Sequence, residues 1–338
     1  MQKIFRVVYI MLMCQAFISF SLLAQKKDFV LVEAESFNEK GGWVLDQQFM
    51  DQMGSPFLLA HGIGKPVQDA STEVMIPKKG TWHVYARTWN WCSPWKTKES
   101  PGRFKIAVNG AVLDNELGMG TQWNWEYAGS IEIKDKSNIV TLKDLTGFEG
   151  RCDAILFTKN KNSIIPNRKE DLSAFRKELL NIPTKPEDGG HYDLVVVGAG
   201  TAGLSAAIKG AREGLKVALI NNRPVPGGNN SSEIRVVASG EMNVKPYTTL
   251  GNVIKEIRNV YSKEDQVIEM IQAEKMLSYF PNMHVFAASK VGKQIKSVTA
   301  KHIENGKEEE FFSPLFVDCS GDGNLGYLAG AEYRVGRE

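Results

Sequence analysis

The run Gly198-Ala199-Gly200-Thr201-Ala202-Gly203 restricts the fold of this chain more than any other feature. It follows an apolar stretch, Tyr192 to Val197, that suits a buried strand. After it, Leu204, Ala207, Ile208 and Ala211 recur at helical spacing, and a second apolar strand runs from Lys216 to Ile220. Each glycine has its own physical task in that order. Gly198 permits a tight turn, Gly200 lets the backbone approach an anion, and Gly203 lets helix and strand pack closely. The first N–H groups of the helix have no partners within it, so they face whatever anion the turn admits. Strand, glycine turn, helix and strand together predict an α/β Rossmann-type unit with a parallel sheet.

Two further stretches extend the pattern. One is Arg223-Pro224-Val225-Pro226-Gly227-Gly228-Asn229-Asn230-Ser231-Ser232-Glu233. The other is Val317-Asp318-Cys319-Ser320-Gly321-Asp322-Gly323, followed by Leu328-Ala329-Gly330-Ala331. Together with the glycine turn they resemble the FAD-dependent oxidoreductases of glutathione-reductase-like fold, over about residues 190 to 338. The resemblance implies FAD, with its pyrophosphate at Gly198, Gly200, Thr201, Ala202 and Gly203. It brings Arg223, Gly227, Gly228, Asn229 and Ser231 along the cofactor toward the flavin, and puts Asp322 against its sugar-like chain. At the end of the second strand the family carries an acidic residue that accepts hydrogen bonds from the adenosine ribose. Asn221-Asn222 stand there instead. The Asn221 amide oxygen can accept the same bond without charge assistance, at a loss on the order of 1 kcal/mol. Flavin chemistry belongs to the cofactor, so the residues name no catalytic acid or base. Glu233 and Arg235 read either as groups facing the flavin or as surface charges on a loop. The family continues well past this point, so a chain ending at Glu338 is expected to be a truncated form.

The N-terminal half has a different composition. All seven tryptophans lie within the first 125 residues. Short strands are predicted at Val30 to Ala34, Thr81 to Thr88, Phe104 to Val108, Gly129 to Ile133, Ile139 to Leu142 and Ala154 to Phe157, separated by polar or glycine turns. This is the pattern of a β-sandwich or jelly roll over residues 27–160. Val32-Glu33-Ala34-Glu35 at its start and Asp153-Ala154-Ile155 at its end are similar to galactose-binding-like carbohydrate-binding modules. That resemblance implies Glu33, Glu35 and Asp153 as ligands of a structural Ca²⁺; the other reading is acidic residues on solvated strand faces. Alternation would put Trp123, Trp125 and Tyr127 on one strand face. There they form either a platform for sugar rings or part of the core. Trp89 to Trp95 reads as an exposed loop.

Residues 161–190 read as a linker with a short helix from Asp171 to Leu180, stopped by Pro183, Pro186 and Gly189-Gly190. At the other end of the chain, Lys3 and Arg6 precede an apolar run from Val7 to Leu23, and Ala24 precedes Gln25-Lys26-Lys27. This layout predicts a signal peptide over residues 1–24, with a retained membrane anchor as the alternative. A mature chain is then periplasmic or secreted, without stable membrane insertion. Cys92 and Cys152 share one domain and read either as a disulfide or as two buried thiols. A net charge of +2 singles out neither nucleic acid nor an anionic membrane as partner. Soluble NAD(P) is scarce outside the cytoplasm, which favours a tightly held FAD. The chain is therefore read as a multidomain protein: signal peptide, β-sandwich, linker, and an FAD-binding α/β domain over residues 191–338. An exported oxidoreductase acting on a sugar or polysaccharide-derived substrate is the expected function. A non-catalytic glycan-binding protein and a polysaccharide lyase are the alternatives, although no compact His, Tyr, Lys or Arg constellation in the β domain supports a lyase.

Overall fold

A computed structural model describes residues 28–95, 100–260 and 262–336. The signal-peptide expectation, with Cys14, lies outside the described residues. The chain divides into two compact units, with the boundary between Ile182 and Pro183.

Among its described residues the first unit contains eleven strands, paired antiparallel. One sheet runs β1 (Phe29–Glu33), β11 (Ala154–Thr158), β5 (Gly80–Thr88) and β8 (Asn124–Ile133). A second runs β4 (Ala70–Met75), β9 (Ser137–Asp144), β6 (Phe104–Val108) and β7 (Ala111–Val112), and a third β10 (Phe148–Cys152), β3 (Phe57–His61) and β2 (Trp43–Asp46). β9 shows why such segments become strands: Asn138, Val140, Leu142 and Asp144 are buried, and the residues between them face outward. That period of two gives one buried and one solvated face. The inward residues form a common core with Trp43, Leu58, Trp82, Phe104, Ile106 and Phe157. All six expected strands are present, and β2, β3, β4, β7 and β10 are additional to them.

The helix expected in the linker, α2 (Lys169–Leu180, after the single turn α1 at Met50–Met53), belongs to this first unit. Phe175, Leu179 and Leu180 pack on Leu31, Ala154 and Leu156, so burial against the outer sheet holds it. It ends where Asn181 enters the left-handed region with φ of 55°, a conformation asparagine tolerates better than most residues.

The second unit contains a four-stranded parallel sheet ordered β15 (Leu277–Phe280), β14 (Val217–Ile220), β13 (Leu194–Val197) and β19 (Phe316–Asp318). Helix α3 (Thr201–Arg212) connects β13 to β14. Both faces of the sheet are covered, which explains why its strands read as continuous apolar runs. Leu194, Val196, Val217 and Leu219 pack with α3, α4 (Asn252–Asn259) and α5 (Glu264–Gln272). Val195, Val197, Ala218 and Ile220 face Met283, Val285, Val298 and Phe311 of a second sheet, ordered β12 (Glu187–His191), β18 (Glu308–Phe312), β17 (Gln294–His302) and β16 (Met283–Val291). A short helix, α6 (Asn324–Leu328), follows β19. No helix among the described residues is long and apolar enough to cross a membrane.

Because Phe157 is fully buried within the core of the first unit, Phe157→Ala should destabilise that unit by about 3–5 kcal/mol. Scanning calorimetry should show the loss in one unfolding transition and leave the transition of the second unit in place.

Candidate functional site

β13 lies between β14 and β19, so the chain leaves its C-terminal end where neighbouring connections diverge, the position at which open α/β sheets hold ligands. The glycine turn is fixed there from both sides. Gly198 N–H donates to Ile220 O at 2.7 Å at the end of β14, and Cys319 N–H donates to Val197 O at 2.7 Å beside β19. Gly198 has φ of 100°, and a Cβ on it would stand 2.3 Å from Cys319 O. Only glycine satisfies both constraints. A Cβ on Gly203 would fall 1.7 Å from Gly198 O, so the first turn of α3 packs directly on the loop that precedes it. Gly200 is different: it caps α3 with an extended backbone, and a Cβ there would meet nothing within 4 Å. The open space of this turn therefore lies at the helix N-terminus, where unpaired N–H groups and the helix dipole favour an anion.

The second glycine pair folds back over this turn. Gly227 N–H donates to Ala199 O at 2.7 Å, and Gly200 and Gly227 form a parallel bridge. Thr201 Oγ1 donates to Asn230 Oδ1, joining the helix start to the same loop. Ser231 is buried, and its hydroxyl donates to Gly228 O at 2.7 Å, so it shapes the loop. Ala202 and Asn229 are exposed. Arg223 pairs with Glu233 at 2.8 Å, and Arg235 donates through Nε to Ser232 O at 3.0 Å. The two charges weighed as flavin-facing groups are thus engaged within the exposed loop.

Asn221 departs from its expected use as a ribose acceptor. It is buried, its amide donates to Arg223 O at 2.9 Å, Val225 O at 3.0 Å and Tyr279 Oη at 3.2 Å, and its oxygen accepts from Ala199 N–H at 3.4 Å. The side chain holds the turn and the returning loop together instead of presenting an acceptor outward. Tyr279 and Asn230 are the partners that sequence reasoning missed. Burial pushes the Tyr279 hydroxyl up to about 12. After β19, Asp318 accepts hydrogen bonds from Ser320 N–H at 3.0 Å, Ser320 Oγ at 2.6 Å and Gly326 N–H at 2.9 Å. Burial raises its pKa, but these bonds outweigh it and hold the carboxyl below its ordinary value. Asp322, at the tip of that turn, is exposed.

Residues 193–338 match the family described as FAD dependent oxidoreductase. The match takes in nearly all of the second unit, which is thus similar to an FAD-dependent oxidoreductase domain. Soluble pyridine nucleotide transhydrogenase of Ectopseudomonas mendocina is 29% identical over 38% of this chain and 25% of its own length. NADH:fumarate oxidoreductase of Klebsiella pneumoniae is 30% identical over 43% of this chain and 16% of its own. The chain thus spans about a quarter or less of the curated relatives it matches. Among solved structures, a flavoprotein/dehydrogenase from Cytophaga hutchinsonii is similar over 44% of each chain, with 16% identity and a TM-score of 0.32. A family 35 carbohydrate binding module from Clostridium thermocellum is similar over 38% of this chain and 96% of its own, with 18% identity and a TM-score of 0.31.

In the first unit, Glu33, Glu35 and Asp153 are all buried rather than solvated. Two guanidinium groups meet them. Asp153 Oδ2 lies 2.7 Å from both Arg87 NH1 and Arg176 NH2, and Oδ1 accepts from Ser55 Oγ at 2.8 Å. Arg176 Nε pairs with Glu33 Oε1 at 2.9 Å. Burial, then the charges of Glu33 and Asp153, push the Glu35 carboxyl well above the ordinary carboxylate range. No group of three His, Cys, Asp or Glu among the described residues is arranged to hold a metal ion. These residues do not fit the calcium that the resemblance implies.

The tryptophans do not form one platform. Trp123 joins Phe49, Phe57 and Trp89 at centroid distances of 5.2–5.9 Å, whereas Trp125 donates to Pro166 O and Tyr127 lies against Tyr85. The exposed aromatic surface is elsewhere: Trp91 stacks on Phe148 at 5.8 Å, Trp95 meets it edge-on, and Trp95 is 68% exposed. The Arg151 guanidinium lies 5.6 Å from the Trp91 ring centroid. Cys92, Cys152 and Cys319 are free thiols, so the pairing considered for Cys92 and Cys152 is absent.

The contrast between two glycines gives a direct test. Gly200→Asn should fold with a nearly unchanged melting temperature, since asparagine is also a good N-cap, but retain little flavin, because its side chain enters the open space. Gly203→Ala should instead destabilise the second unit by at least about 2 kcal/mol in denaturant titration, because backbone must move.

Proposed function

We propose that the chain is an exported FAD-dependent oxidoreductase that oxidises a hydroxyl of a sugar or polysaccharide-derived substrate, with its first unit holding the glycan. The observation that carries the redox half is the glycine turn itself. It lies at the divergence point of a parallel sheet, with open space at Gly200 and a helix N-terminus behind it, within residues that match an oxidoreductase family. The residues fit the pyrophosphate of FAD at this turn. The backbone N–H groups of Thr201, Ala202 and Gly203 would receive it, and the Gly227-Gly228 loop would cover it. FAD bound there supplies an acceptor for two electrons from the substrate carbon. The protein's own part is to hold the dinucleotide rigidly, with Thr201, Asn230 and Ser231 fixing the loop by hydrogen bonds. The enzyme domain acts on a small molecule.

The glycan half rests on exposed Trp95 and Phe148, with half-buried Trp91 packed against both, because flat aromatic rings suit the apolar C–H faces of sugars. The Arg151 guanidinium lies over the ring of Trp91 and also over those of Phe57 and Trp89, which ties Trp91 to the aromatic cluster below it. Export rests on the charged start, apolar run and Ala24 of the first 24 residues. A second reading, glycan binding without catalysis, is favoured by one observation: the Asn221 side chain is committed to the turn, so the adenosine ribose loses its expected acceptor.

Absorbance of the desalted full chain between about 300 and 550 nm separates the two readings, because a protein-held flavin absorbs in that range. Retained flavin bands that bleach anaerobically on adding a sugar or oligosaccharide are the result expected for the oxidoreductase. A colourless chain that FAD does not reconstitute, yet which still binds polysaccharide, is the result expected for the binding protein. Trp95→Ala should weaken polysaccharide retention about tenfold in affinity electrophoresis and leave flavin content unchanged.

A further inference from the structure

The acidic pocket at the edge of the sandwich brings together groups from four distant parts of the chain. Glu33 ends β1, Glu35 follows it, Asp153 sits between β10 and β11, and Arg87 comes from β5. Three carboxyl groups buried this closely need a compensating cation, because unpaired charge is costly away from water. Arg176 of helix α2 supplies it, and the guanidinium is as buried as the carboxylates it meets. One face pairs with Glu33 Oε1 at 2.9 Å, and another with Asp153 Oδ2 at 2.7 Å. The remaining nitrogen, NH1, donates to Ser55 Oγ at 2.6 Å and Met53 O at 3.2 Å. Burial alone would lower the pKa of Arg176, but Asp153, Glu33 and Glu35 raise it further, so the side chain stays charged. Glu35 Oε2 is buried without a hydrogen-bond partner, and burial beside Glu33 and Asp153 favours the neutral form of this carboxyl.

We propose that the Arg176 guanidinium is the resident cation of this pocket, taking the position of a divalent ion and clamping helix α2 to the sandwich. A calcium ion wants roughly six to eight oxygen ligands at about 2.3–2.6 Å. Here Asp153 Oδ1 is bonded to Ser55 and Oδ2 to two guanidinium groups, and a divalent ion beside them would meet two fixed positive charges. Glu33 and Asp153 carry two negative charges against the two of Arg87 and Arg176, so the pocket is balanced by side chains alone. A planar guanidinium suits the task because it bridges two carboxylates and a hydroxyl at once, which the point charge of a lysine cannot do. The consequence is covalent linkage: the cation arrives on the helix that leads out of the first unit, so the helix is held wherever the pocket is intact.

The test uses the full chain, wild type and Arg176→Ala, melted with chelator or with millimolar calcium, together with elemental analysis of the purified wild type. The wild type should contain no stoichiometric calcium, and neither chelator nor calcium should move its melting. Arg176→Ala should melt roughly 10 °C lower in the transition of the first unit, and calcium should restore part of that loss. Bound calcium in the wild type, or a melt lowered by chelation, would overturn the proposal. So would an Arg176→Ala melt that is unchanged, or a loss that calcium leaves untouched. Should Arg176→Ala fail to fold, the wild-type calcium content and chelator response decide the question, and Arg176→Lys should fold with a lowered melt.

Discussion

The second unit depends on one close approach, that of the loop after β13 to the residues that follow β19. A Cβ at Gly198 would stand 2.3 Å from Cys319 O, and one at Gly203 would stand 1.7 Å from Gly198 O. With both absent, strand, loop and helix lock into a single rigid turn, and the helix N-terminus is left facing open space at Gly200. The candidate anion site is therefore a by-product of backbone packing. It needs no charged side chain, and its preference comes from N–H groups and a helix dipole that the fold cannot help but aim outward. The family match over residues 193–338 begins one residue before β13, where this arrangement starts.

The same economy of backbone explains the role of Asn221. A carboxylate at that position can accept bonds from a ribose but cannot donate to the carbonyls of Arg223 and Val225. The amide does donate, and so ties the returning loop to the end of β14. In this chain Asn221 acts as a brace of its own loop. In the first unit, long-range polar contacts do comparable work: Arg176 joins Glu33, Ser55 and Asp153, residues far apart in the chain.

What the sequence made legible follows from how local each constraint is. The glycine turn could be read because sterics at Gly198 and Gly203 admit no other residue, and the flanking apolar runs announce a sheet covered on both sides. Strands such as Phe104–Val108 were readable from their apolar content between turn residues. β10 was not, because Phe148–Cys152 contains a glycine and two charged residues, and Glu149 takes φ of 67° at a break in register. Nor was β2, four residues with only Trp43 buried. At the candidate sites, sequence indicated which carboxylates converge but not what meets them. Arg176 lies in a helix with no local sign that it reaches back to β1, and Tyr279 lies in a strand with no sign that it supports Asn221. Such pairings depend on tertiary approach between segments, which periodicity and motif spacing do not encode.

If this turn holds a dinucleotide, it does so by the pyrophosphate. Displacement of FAD from the full chain, followed by flavin fluorescence, tests it most directly when ADP and riboflavin are compared as competitors. ADP carries the adenosine and pyrophosphate without the flavin, and riboflavin carries the flavin without either. A pyrophosphate anchor requires that ADP displace FAD and that riboflavin at the same concentration leave it bound. Displacement by riboflavin and not by ADP would place the anchor at the flavin end and contradict it.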